Sequence, residues 1–173
     1  VIAADGSDSS VRDLLNIALL TTSSQSAAAL ATSIDISTSH QHIAYQRFTP
    51  QGIIASLPLL SNKIGLVWTA DQATINALKD LTELDFLDRL QQHFSYRFGQ
   101  LVRCTKPRIY PLRSFIAQSQ AQPGLVLLGN AAHTLLPIAA QGLNLALQDM
   151  SVLADIIANA LKTATDLADP SLS

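Results

Sequence analysis

A mixed α/β (α+β) fold is predicted, an α/β base made from both ends of the chain with a mostly antiparallel sheet domain inserted between them. Three observations predict it. Near the end, the apolar strand Leu125-Val126-Leu127-Leu128 runs through a small-residue turn into a helix. That helix has apolar residues at Leu143, Leu147, Met150, Ala154, Ile157 and Leu161, the alternating 3 and 4 spacing of one buried face. At the start, Val1-Ile2-Ala3-Ala4 reads as a buried strand leading through Asp5-Gly6-Ser7-Asp8 into a short helix. Between these ends lie several strand-like runs parted by polar turns. The expected division is 1–22 with 118–165 for the base, 23–117 for the sheet domain, and a frayed polar tail over 166–173.

Element by element, the first helix runs from Ser9 to about Leu15, and the polar junction Ser23 to Ser26 marks a change of layer. Strands follow at Ala27 to Ser37, Ile43 to Thr49, Gly52 to Leu57 and Ile64 to Thr69, and their short turns suggest an antiparallel meander. Asp71 to Leu78 begins a helix. Thr82 to Phe98 is a second one, capped by Thr82 and built on Leu84, Leu87, Leu90, Phe94 and Phe98. Arg108 to Ala117 is a strand whose Pro111 places it at an edge or a crossing, and Gln118 to Gly124 is a turn.

Composition narrows the function classes. Of 173 residues 48% are hydrophobic, too apolar for the chain as a whole to be disordered. Net charge is −2 with scattered Lys and Arg, so nucleic acid is not the expected partner. No apolar run approaches the roughly 18 to 20 residues of a spanning helix, although the chain is greasy enough for peripheral contact with a membrane. Cys104 has no partner cysteine and reads as a small apolar residue. His40, His42, His93 and His133 show no ligand spacing, and no metal is expected.

The segment Gly129-Asn130-Ala131-Ala132-His133, followed by Pro137-Ile138-Ala139-Ala140-Gln141-Gly142-Leu143-Asn144, carries the chemistry. A strand, a tight turn and a helix N-terminus bring free N–H groups together, and the helix dipole adds to their pull on an anion.

Together with Asp5-Gly6-Ser7-Asp8-Ser9-Ser10-Val11-Arg12, this segment resembles the aromatic-ring flavin hydroxylases. The first matches their DGxxSxxR segment and the second their GDAAH…P…GQGxN segment. Asn130 in place of Asp is similar to the ubiquinone-biosynthesis branch, as are Arg47-Phe48-Thr49, Leu57-Pro58-Leu59, Val67-Trp68, Phe86 to Gln91 and Tyr110-Pro111-Leu112. The likeness covers roughly Val1 to Ala160. It implies an incomplete p-hydroxybenzoate-hydroxylase-like flavoprotein fold, with FAD and NAD(P)H as cofactors of the intact protein. The implied cycle reduces FAD, adds oxygen at flavin C4a, and passes one oxygen atom to a polyprenyl phenol. Implied cofactor contacts are Asp5, Gly6, Arg12, Gly129, Asn130, Pro137, Gln141, Gly142, Leu143 and Asn144. The resemblance implies a cytoplasmic protein, peripheral at the inner membrane, with other members of the biosynthetic complex as partners.

Two departures from the pattern matter. Ala140 stands where the family has Gly, which is strained only if the position is left-handed. No GxGxxG occurs in these residues, so the chain reads as a piece of a longer protein, expected to bind FAD weakly or not at all and to self-associate through uncovered apolar faces.

Single residues leave alternatives open. Arg12 pairs with a phosphate or caps the local helix. His133 reads as a structural hydrogen-bonding group, and no side chain stands out as a catalytic base. Tyr45, Arg47 and Trp68 line a phenol pocket, or pack in the core, or face solvent. Two other functions fit the scaffold: a non-catalytic assembly component, and a flavin hydroxylase or halogenase of small soluble aromatics.

Overall fold

The computed structural model describes residues 1–21, 27–137 and 141–169. In chain order the elements are β1 (Ile2–Ala3), α1 (Ser10–Leu14), β2 (Leu19–Thr21), β3 (Ala27–Ile36), β4 (Tyr45–Thr49), β5 (Gly52–Leu59), β6 (Lys63–Asp71), α2 (Gln72–Lys79), α3 (Glu83–Phe94), β7 (Leu101–Cys104), β8 (Arg108–Leu112), β9 (Phe115–Ala117), β10 (Ala121–Gln122), β11 (Leu125–Leu127), β12 (His133–Thr134) and α4 (Gln141–Lys162). A 3-10 turn over Gly129–Ala131 separates β11 from β12. Contacts divide the chain into Val1–Ser24 with Arg113–Ser173, and Gln25–Leu112. The Ser23 to Ser26 junction and Ala140 both lie outside the described residues.

The second unit is one sheet with two helices on one face. Its strand order is β4-β5-β6-β3, with β7 and β8 sharing the far edge of β3. The expected meander is right for β4-β5-β6 but not for β3, which pairs with β6 along its whole length instead of with β4. The physical reason is the alternation of β3: Leu30 and Ile34 lie opposite Trp68 and Ile64, and together they form a buried face.

Helices α2 and α3 cover that face with Ile75, Leu78, Phe86, Leu87, Leu90 and Phe94. Asp71 caps α2 by accepting the Thr74 N–H at 2.7 Å, and Thr82 caps α3 by accepting the Asp85 N–H at 3.2 Å. Helix α3 stops at Phe94, short of the expected Phe98, because Ser95 turns left-handed (φ 52°). Phe86, rather than the exposed Leu84, supplies its first buried position. Gly52 holds the β4–β5 turn at φ 112°, where a Cβ would collide with the Thr69 carbonyl oxygen.

The first unit contains two small sheets, β1-β11-β10 and β12-β9-β2. Arg108 to Ala117 is therefore not a single strand: β8 pairs with β3, whereas β9 pairs with β2 and β12. For the same reason the units part after Leu112, not after the expected residue 117. Within the expected turn 118–124, β10 forms a hairpin with β11 around Gly124 (φ 76°). Helix α4 has the expected length and period but a different phase. Of the expected face only Ile157 is turned inward, together with Leu145, Ala146, Leu153, Ile156 and Ala160, while Leu143 (71% exposed), Leu147, Met150, Ala154 and Leu161 face out. Both faces of α4 are apolar, so spacing alone did not choose between them.

Candidate functional site

The candidate site grows from one parallel strand pair. Ile2 pairs with Val126 and Ala3 with Leu127, so β1 and β11 end side by side and point the same way. The Leu128 N–H donates to the Ala3 carbonyl at 2.8 Å and extends the pairing by one step. The segments that leave the two strand ends are Asp5-Gly6-Ser7 and Gly129-Asn130-Ala131. They emerge together, in the crevice beyond the carboxyl ends of parallel strands where open α/β sheets bind ligands.

Arg12 ties these segments. It is 3% exposed. Its Nη2 donates to the Ser7 carbonyl at 2.8 Å, its Nη1 donates to the Ala131 carbonyl at 3.2 Å, and its guanidinium lies 5.1 Å from the centre of the Phe115 ring. Of the two readings left open for Arg12, the cap is made by Ser9 instead, whose hydroxyl accepts the Arg12 N–H at 3.1 Å. Asp5 is held below the usual carboxylate range chiefly by the Ser9 hydroxyl; burial opposes this, and backbone N–H groups that include Val11 add to the lowering.

Gly6 (φ 90°) and Gly129 (φ 58°) both occupy left-handed backbone. Nothing lies within 4 Å of where a Cβ on Gly6 or Gly142 would sit, so a ligand could approach the backbone closely at both. Asn130, Pro137, Gln141, Leu143 and Asn144 have exposed side chains. Helix α4 has no acidic residue in its first turn, which leaves the positive end of a 22-residue helix without a neutralising carboxylate of its own.

One contact that the sequence did not suggest positions this helix. His133 is 5% exposed, and its Nε2 lies 2.6 Å from Oδ2 of Asp149 on α4. The bond spans the loop that carries Pro137. The stripe through Leu143, Leu147 and Met150 puts Asp149 off the expected buried face, which hides its role in the sequence. A lone carboxylate on the inward face of a helix needs a partner, and that was the available signal.

A cavity of about 840 Å³ is lined by residues of β1, β11 and α4. It is lined largely by apolar side chains such as Leu125, Leu153 and Ile156, and touches the site only at Leu128 and Asp149.

In the second unit, the three residues weighed for a phenol pocket sit on the helix-covered side of the sheet. Trp68 is fully buried, with Nε1 donating to the Gln51 carbonyl at 3.0 Å, and Tyr45 and Arg47 share its face. The opposite face presents Phe48, Ile53, Ala55, Val67 and Tyr110, all half-buried or exposed. The Cys104 thiol is pushed up by burial and then by Glu83, which keeps it protonated. Among the described residues no helix is long and apolar enough to cross a membrane.

A family model described as "FAD binding domain" matches residues 1–168. The chain is 34% identical over 160 residues to the 3-demethoxyubiquinol 3-hydroxylase of Escherichia coli K12, covering 92% of this chain and 40% of that protein. It is also 34% identical over 173 residues to the ubiquinone hydroxylase UbiL of Rhodospirillum rubrum, covering 99% of this chain and 40% of the relative. Among solved structures, PqsL, a probable FAD-dependent monooxygenase from Pseudomonas aeruginosa, superposes with a TM-score of 0.73 at 25% identity, over 96% of this chain and 48% of that one. The chain thus spans about two-fifths of the length of these curated relatives.

Proposed function

Because the chain belongs to the FAD-binding-domain family, we propose that it is part of a flavin-dependent monooxygenase that hydroxylates a polyprenyl phenol ring in ubiquinone biosynthesis, with NAD(P)H as reductant and O2 as oxidant. The observation that carries this reading is the convergence of the two motif turns at the parallel strand ends, tied by Arg12. The names of the relatives support the ubiquinone branch.

FAD, when bound, supplies the redox and oxygen chemistry, and the protein binds, orients and excludes water. Gly6 and Gly129 let backbone approach the dinucleotide, with Asp5 and Asn130 beside them as polar partners. The amide groups of Gly142, Leu143 and Asn144, with Gln141 before them, offer donors and dipole to an anionic edge of the flavin, worth about 0.3–2 kcal/mol. Pro137 stiffens the loop leading to them. Arg12 acts by holding the two turns together. The apolar sheet face of Phe48, Ile53 and Val67 suits an aromatic ring with a prenyl chain.

The test is the visible spectrum of the full-length protein purified without added cofactor. Oxidised-flavin bands that bleach with NAD(P)H and return in air are the expected result. A folded, colourless protein that refuses added FAD would move the function to a non-catalytic assembly role. The connecting segments point to the 2-octaprenyl-6-methoxyphenol hydroxylases, and the bacterial relative to 3-demethoxyubiquinol. Offering both phenols separates these two, and a short-chain analogue turned over equally well would favour a hydroxylase of small soluble aromatics.

A further inference from the structure

On the second unit, a cleft of about 560 Å³ opens between β4 and the C-terminal end of α3. It is lined by Tyr45, Arg47, His93, Phe94, Ser95 and Arg97, together with Gln46, and no carboxylate lines it. Both arginines are held by uncharged partners. Arg47 donates through Nη1 to the His93 carbonyl at the end of α3, and the Arg97 guanidinium stacks 4.6 Å from the centre of the Tyr45 ring. Among the described residues neither makes an ion pair, whereas Arg12, Arg103 and Arg113 all do.

We propose that this cleft binds a phosphate group, carried by a small molecule or by a lipid headgroup, on the guanidiniums of Arg47 and Arg97. Each guanidinium has five N–H donors in a planar fork and uses few of them here, so donors remain to meet phosphate oxygens. The carbonyl end of α3 offsets about half a charge of this pair. That leaves a net cationic cleft on a chain whose overall charge is −2. Tyr45 sets the plane of the Arg97 guanidinium, and the short connection after α3 brings Arg97 back beside β4.

His93 adds a second handle. Its imidazole packs edge-on against Trp68 of β6, and its pKa is lowered first by burial, then by Arg47 of β4 and Arg89 of α3. Arg97 is the remaining charged group lining the cleft, and no anion opposes this set. A bound phosphate would supply one and so favour the protonated imidazole.

Calorimetric titration of the chain with inorganic pyrophosphate tests the proposal. Saturable binding is expected, weakened about tenfold by Arg97→Gln and by Arg47→Gln. It should be unchanged by Arg103→Gln, whose guanidinium pairs with Asp35 elsewhere on the sheet. Because Arg47 also holds the end of α3, Arg97→Gln is the decisive variant, and its thermal melt serves as the folding control. Co-sedimentation with phosphatidylcholine vesicles containing phosphatidylglycerol, competed by pyrophosphate, would identify a headgroup as the source of the phosphate. Pyrophosphate binding without vesicle binding would identify a small molecule. No pyrophosphate binding, or binding indifferent to Arg97→Gln, overturns the proposal.

Discussion

Arg12 shows how much one residue carries. A guanidinium buried against two carbonyls and a ring cannot be replaced by an ammonium of different shape. Arg12→Lys is expected to cost about 2–4 kcal/mol in denaturant unfolding, because the Ser7 and Ala131 carbonyls lose their shared donor. Gly129→Ala places a Cβ at φ 58°, with Ala146 3.7 Å away in ordinary contact. It should therefore cost only about 1 kcal/mol, from backbone strain alone. Asp149→Ala strands the buried His133 ring and should cost about 1–3 kcal/mol. Because Asp149 holds α4 to His133, Asp149→Asn, which keeps an acceptor, should recover most of that loss together with flavin affinity in the full-length protein. An Asn variant as damaged as the Ala variant would show that the carboxylate's charge, not its hydrogen bond, is what matters.

Secondary structure was legible where local chemistry decides it. Asp71 and Thr82 stand as caps ahead of α2 and α3, and both helices start as expected. Thr82→Ala should lower stability by about 1 kcal/mol in chemical denaturation. The Asp71 carboxyl is held below its usual range by the Thr74 N–H and then its hydroxyl, against an opposing effect of burial. Its folded pKa is thus depressed, so its contribution is complete above the unfolded-state pKa and fades as the pH falls through the lowered value. An acid titration of stability should lose a component in that window, and Asp71→Asn should flatten it. Where elements went unread, they were short and paired far along the chain. Strands β2, β7, β10 and β12 span two to four residues each, too few for a periodic pattern to register. Helix α4 shows the complementary failure: its period was plain, but apolar residues on both faces left the buried one to be chosen by β11 and the 3-10 turn.

At the scale of the molecule, the outward apolar residues of α4 predict self-association of the 173-residue chain. Sedimentation should show species larger than a monomer, and Leu147→Lys with Met150→Glu should shift the distribution toward monomer without loss of helix signal. A wild-type chain that is monomeric throughout would remove that prediction. The fold class, the strand-turn-helix unit and the family could be recognised from residues alone, because turns, caps and small-residue motifs act over a few positions of the chain. The pairing of β3 with β6, the split of Arg108 to Ala117 between two sheets, the inward burial of Arg12 and the meeting of His133 with Asp149 could not. Each depends on which distant surfaces come together, and burial and hydrogen bonding across such separations are decided only when the whole chain packs.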